Sequence, residues 1–221
     1  MTIKKPDTEI QYKIEHLIEA SLEVGAIKLD PDHPFTWASG AKMPIYNDNR
    51  LLLGSYETRM LVGKGFQQIL QDHKIDADGI AGTATAGIAP AVTLANLIQA
   101  PLAYVRPEPK THGMQNQIEG ALPPSGRIVV VEDLISTGGS ALKAIQALRD
   151  AGFSVDHCLC IFSYGFQRAV ESFKKMDCQL HTLLTFPQLL EHCKTMGRFN
   201  PNQLQLLSDW KENPFEWAHN K

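Results

Sequence analysis

Apolar residues recur at Ile14, Leu17, Ile18 and Leu22 with helical spacing and stop at Gly25. This predicts an amphipathic helix ended by a glycine. Phe35-Thr36-Trp37-Ala38-Ser39-Gly40 reads as a short strand and turn, followed by Pro44-Ile45-Tyr46. Ser55 is placed to cap a second helix whose apolar stripe is Met60, Leu61, Phe66, Ile69 and Leu70. From Asp78 the period changes. Asp78–Ala81, Leu102–Arg106, Ile128–Val131 and Val155–Phe162 are short apolar runs that predict strands. A helix rich in Ala and Leu runs to about Ile98, and another carries Ala141, Leu142, Ile145 and Leu148. Ile128–Val131 is continuous and β-branched, as in a strand buried on both faces. Strands alternating with helices imply right-handed crossovers and a mostly parallel sheet covered by helices. Asn200-Pro201 then opens a last helix over about Pro201–Trp210.

Composition narrows this little. The 221 residues are 43% hydrophobic and 20% charged, a globular balance able to supply one core. A net charge of −3 offers no general attraction to nucleic acid. Lys4 and Lys5 lack an apolar run behind them, and no run is long enough for a membrane helix. The expectation is a soluble, cytoplasmic chain. Cys158, Cys160, Cys178 and Cys193 form no Cys-x-x-Cys pair and read as reduced, buried thiols, and the other histidines show no metal-ligand spacing. No metal ligand is assigned. Trp210 and Trp217 flank Asn213-Pro214 and serve either to pack the tail on the body or to contact a second subunit.

Chemistry concentrates in Val129-Val130-Val131-Glu132-Asp133-Leu134-Ile135-Ser136-Thr137-Gly138-Gly139-Ser140. A strand delivers two adjacent carboxylates to the C-terminal edge of the sheet, where open α/β folds bind ligands. Hydroxyls and two glycines follow at a helix N-terminus, where unpaired N–H groups and the helix dipole favour an anion. Carboxylates beside a phosphate cradle make sense for a sugar phosphate, whose hydroxyls donate to them, or for Mg²⁺ held between sugar and pyrophosphate. The twenty-residue stretch between Arg106 and Arg127 has little apolar pattern. Pro107, Pro109, Gly113 and Gly120 argue against helix or strand there, while Arg106, Lys110 and His112 suit a lid over an anion.

The Glu132–Ser140 segment resembles the motif by which type I phosphoribosyltransferases bind 5-phosphoribosyl-1-pyrophosphate (PRPP). Phe35–Gly40 with Pro44-Ile45-Tyr46 resembles the hood of the orotate phosphoribosyltransferase family. Ala81–Ala89 resembles its pyrophosphate loop, and Tyr104–Gly113 with Asn116–Gly120 its catalytic loop. The resemblance runs from about Ala26 to Tyr164. It implies an α/β, type I phosphoribosyltransferase-like, mostly parallel sheet flanked by helices, as one domain: a hood over about 1–50, a core over 51–200, and a C-terminal helix and tail over 201–221. It implies transfer of ribose 5-phosphate from PRPP to orotate with Mg²⁺ as cofactor, in a homodimer with shared sites and without nucleic-acid or membrane partners. Glu132 and Asp133 would hold the ribose, with Leu134 and Ile135 beside them. Ser136, Thr137, Gly138, Gly139 and Ser140 would take the 5-phosphate, with Ser136 also at the base, and Thr85 and Ala86 the pyrophosphate. Lys110, His112 and Asp133 would be catalytic, Arg106 would help meet the charge on the leaving pyrophosphate, and Lys110 and His112 would act on that of the neighbouring subunit. The chain departs from the family pattern at Ala38, where many relatives have Lys, at Pro107, where a second cation is common, and at Tyr164 and Gly165, where some carry Arg. Two other readings share the motif: a purine-base phosphoribosyltransferase, and a PRPP-sensing regulator. The latter would be expected to carry a DNA-binding module or basic RNA-binding face, which the sequence does not show.

Overall fold

A computed structural model describes residues 10–37, 40, 42–108, 117–214 and 216–217. The chain opens with α1 (Ile14–Glu23), which buries Leu17 and Ile18. Four short strands follow: β1 (Ile27–Leu29), β2 (Phe35–Thr36), β3 (Lys42–Met43) and β4 (Ile45–Asn47). They pair antiparallel, β1 with β4 and β2 with β3. A 3-10 segment, Asn49–Gly54, leads to α2 (Tyr56–Asp72), whose N-terminus is capped by Ser55 Oγ accepting from Thr58 N–H at 3.1 Å. The buried stripe of α2 is Leu61, Val62, Phe66 and Leu70, whereas Met60 and Ile69 are only half-buried.

Then come β5 (Gly79–Thr83), α3 (Ile88–Ile98), β6 (Leu102–Val105), β7 (Ile118–Gly120), β8 (Arg127–Ile135), α4 (Gly139–Asp150), β9 (Ser154–Ser163), α5 (Gln167–Lys175), β10 (Gln179–Thr185), α6 (Phe186–Thr195) and α7 (Pro201–Glu212). One six-stranded sheet has the order β10-β9-β8-β5-β6-β7. Its first five strands are parallel, and β7 runs antiparallel to β6. The fold class expected from sequence is therefore present. Along β8 the side chains alternate between two apolar layers, as a strand covered on both faces must. Val129 and Val131 join α1, α2, α3, α6 and α7 on one side, and Ile128 and Val130 join α4 and α5 on the other.

The stretch after Arg106 corrects the sequence reading in one place, since Ile118–Gly120 form a strand. Val105 lies opposite Ile118 and Ala103 opposite Gly120. Gly120 belongs there because it takes φ +120, and a Cβ on it would come within 2.6 Å of the Leu102 carbonyl. Lys110 and His112 lie outside the described residues.

The tail is tied to the body. Trp210 is fully buried, donates from Nε1 to Met43 Sδ at 3.0 Å, and meets the ring of Phe186 edge-on at 4.9 Å. Tyr164 and Phe166 pack on it at 5.7 and 5.8 Å. Between the two roles open in the sequence, Trp210 takes that of packing the tail. All four cysteines are buried and free, and burial pushes the thiols of Cys158 and Cys160 far up.

Candidate active site

β8 carries its last residues past the C-terminal edge of the sheet, and the following turn enters α4. Gly138 makes that turn at φ +85, with Phe173 so close that a Cβ would sit 2.9 Å from its ring. No side chain caps the start of α4, and Gly139 and Ser140 are exposed. The first-turn N–H groups therefore face outward with a positive helix end behind them. They open on a chamber of about 280 Å³ bounded by Gly139, Ser140, Thr83, Ala84 and two cations, Arg106 and Lys143. Lys143 escaped the sequence reading, although it shares the α4 face of Gly139 one turn on. Arg106 leans on Glu119 of β7 at 3.7 Å. A phosphate fits this set of donors and charges.

The loop after β5 packs tightly against β8. Thr83 Oγ1 donates to the Val131 carbonyl at 3.3 Å, and a Cβ on Gly87 would fall 2.5 Å from that same oxygen. Thr85 is exposed and Ala86 half-exposed at the mouth, and the peptide joining Ala84 to Thr85 is cis.

Between loop and turn sit the two carboxylates. Glu132 is 6% exposed, and its Oε1 accepts from the Asp133 N–H at 3.0 Å. Asp133 is half-buried, with its carbonyl receiving Asn49 Nδ2 at 2.7 Å. Burial is the main reason both carboxyls stand above their ordinary range. Arg50 contributes a favourable charge to Asp133 but is itself clamped on Asp48, at 2.6 and 3.0 Å. Among the described residues no cation comes within ion-pair distance of either carboxylate.

On the other side of β8 a cleft of about 330 Å³ is walled by Trp37, Tyr46, Tyr164, Leu134, Thr36, Asn47 and Ser136. Trp37 is held by donating Nε1–H to the Ile45 carbonyl at 2.9 Å and packs on Tyr164 at 5.5 Å. The Asn47 amide is buried, and among the described residues neither its oxygen nor its nitrogen has a hydrogen-bond partner. A flat ring matches these aromatic walls.

Of the residues singled out in the sequence, Glu132, Asp133, Leu134, Ser136, Thr137, Gly138, Gly139, Ser140, Thr85, Ala86 and Arg106 gather here. Ile135 does not offer its side chain, which is buried in the layer under α4. Three chemistries thus lie in sequence around the end of β8: an anion chamber, a carboxylate pair and an aromatic cleft. Asn47, Asn49 and Trp37 reach the site only through the long-range packing of the first strands, with the Phe35–Tyr46 motif the signal for Trp37, while Tyr164 was marked in the sequence only as a departure from the family pattern.

The chain matches the phosphoribosyl transferase domain family over residues 55–182. It is 45% identical over 196 residues to an orotate phosphoribosyltransferase of Cytophaga hutchinsonii, spanning 89% of this chain and 94% of that one. With an orotate phosphoribosyltransferase of Staphylococcus saprophyticus it shares 43% identity over 197 residues, 89% of this chain and 97% of the other. The crystal structure of orotate phosphoribosyltransferase from Aeropyrum pernix is similar in fold, with a TM-score of 0.72 at 31% identity, covering 83% of this chain and 99% of that one.

Proposed function

The chain belongs to the orotate phosphoribosyltransferase family, and on that premise we propose that it joins orotate to the ribose 5-phosphate of PRPP, giving orotidine 5'-monophosphate and pyrophosphate on the way to UMP. The observation that carries this reading is the order of the anion chamber, the carboxylate pair and the aromatic cleft around β8. Phosphates lie toward Arg106, Lys143 and the α4 N-terminus, ribose hydroxyls donate to Glu132 and Asp133, and the base lies in the cleft walled by Trp37, Tyr46 and Tyr164.

The reaction breaks the bond from the anomeric carbon to pyrophosphate and forms one to the ring nitrogen of orotate, through an oxocarbenium-like state. The ring N–H gives up its proton as the new bond forms, and the departing pyrophosphate, an oxyanion, can take it up. Arg106 with Lys110 and His112 meets the charge that grows on the leaving pyrophosphate. Mg²⁺ fits the oxygen-rich pair as a cation held largely by substrate oxygens, since no group of three or more ligating side chains is arranged for a metal among the described residues. Such an ion adds charge neutralisation at the pyrophosphate.

A two-fold dimer is part of the proposal, with Lys110 and His112 closing over the partner's site. Leu53, Pro90 and Thr93 border a crevice that reaches Asp133 and Ala86, and Leu51, Leu53, Tyr56 and Val92 are exposed apolar side chains. They offer a second copy a surface next to the ribose site. A cytoplasmic location goes with this reading; no described helix is long and apolar enough to cross a membrane. The test is the fall in orotate absorbance with PRPP and Mg²⁺, beside adenine, hypoxanthine and uracil. Consumption of a purine in place of orotate, or of no base, would sink the reading.

A further inference from the structure

The base cleft poses an electrostatic problem. Its described lining is neutral, yet the base assigned to it carries a carboxylate that loses water on entry. An anion in such a place needs a cation at its rim. β2 and β3 pair antiparallel with Thr36 directly opposite Lys42, which puts both side chains on one face of the hairpin. Lys42 Nζ donates to Thr36 Oγ1 at 2.9 Å, and Thr36 is part of the cleft wall. The ammonium thus stands one hydroxyl away from the cavity. Among the described residues it has no ion pair, whereas Arg50 on the neighbouring segment is spent on Asp48.

We propose that Lys42 is a specificity-determining residue, whose ammonium swings from Thr36 to the carboxylate of the incoming base and selects a carboxylated pyrimidine over the same ring without that group. This rests on the reading of the cleft as the base site. A flexible stem with three rotatable donors suits a contact made when the substrate arrives. Thr36 holds the charge at the rim until then and, as a neutral partner, does not compete with a carboxylate.

The test compares Lys42→Gln and Lys42→Arg with the unaltered enzyme, reading KM for orotate, KM for PRPP, and the inhibition constant of uracil against orotate. Lys42→Gln should raise KM for orotate about tenfold or more, the scale of a lost hydrogen bond to a charged group. KM for PRPP and the uracil constant should stay within twofold, and Lys42→Arg should recover most of the orotate affinity. An unchanged orotate KM in Lys42→Gln overturns the proposal, as does an equal weakening of uracil and orotate, which marks a merely structural role. Failure of the unaltered enzyme to use orotate would instead strike the proposed function, so the two are separable.

Discussion

At the N-terminal edge of the sheet, Arg127 grips Asp78 through Nε and Nη2, each at 3.0 Å, and Asp76 through Nη1 at 3.1 Å. These groups are exposed, and the bonds from Arg127 hold the Asp78 carboxyl at about 2. A short distance along the same edge, His157 Nδ1 and His181 Nε2 lie 3.2 Å apart, and burial keeps the His181 ring down at about 4. At the C-terminal edge, on the far end of the same β8 that starts with Arg127, the buried Glu132 and half-buried Asp133 have no ion-pair partner among the described residues and shift the opposite way. One end of the strand is electrically complete within the chain. The other is built to be completed from outside, by sugar hydroxyls and a cation that favour the charged carboxylates.

The contrast is broken most severely at the incomplete end. Asp133→Asn is nearly isosteric but removes the acceptor charge, and Lys110→Ala removes a cation that faces the leaving group. Each should lower kcat by about 10² to 10³, the scale of one preorganised electrostatic contact. Wild-type kinetics in folded Asp133→Asn would show that the ribose site lies elsewhere, and a raised KM at unchanged kcat would limit Lys110 to ground-state binding. If the two defects belong to one shared site, co-refolding the variants should restore roughly a quarter of wild-type activity.

A smaller effect separates the two edges by pH. Carboxyls raised in the folded state bind more protons folded than unfolded, so stability is greatest below their unfolded range and declines as pH rises through the folded values. The melting temperature of the free enzyme should therefore fall between about pH 5 and about pH 8 through Glu132. Glu132→Gln should flatten that fall and melt higher than wild type at the alkaline end. A variant with the unchanged profile would remove the pair from the explanation. The smallest effect belongs to the complete end. Asp78→Asn should leave kcat and KM untouched and lower the melting temperature slightly, an effect that shrinks with added salt. Altered catalysis there would mean that the two edges are coupled.

The sequence discloses these regions unevenly, for physical reasons. β5, β6, β8 and β9 are legible because strands buried on both faces must be apolar throughout, and Glu132–Ser140 is legible because its groups act from one contiguous turn. β10 is not, since an edge strand with His181 and Thr182 half-buried lacks a clean period. α6 did carry a local mark, the capping box in which Thr185 and Gln188 bond each other's backbone, and it passed unread. β7 was missed because Gly120 argues against a strand until its close approach to Leu102 is known. Lys42 and Asn47 could not be ranked at all, since their meaning depends on a cleft that β8 and Tyr164 close from more than eighty residues away.

On this reading Glu132, whose carboxyl burial raises to about 8, keeps a proton until PRPP arrives. Calorimetric titration of PRPP with Mg²⁺ into the enzyme at neutral pH, repeated in buffers of different ionisation enthalpy, counts the protons exchanged on binding. Wild type should release more protons than Glu132→Gln, by an amount on the order of a fraction of a proton, because ligand hydroxyls and cation drive the pair to its charged form. The same proton count in both proteins would contradict the account, since the pair would then already be charged in the empty site.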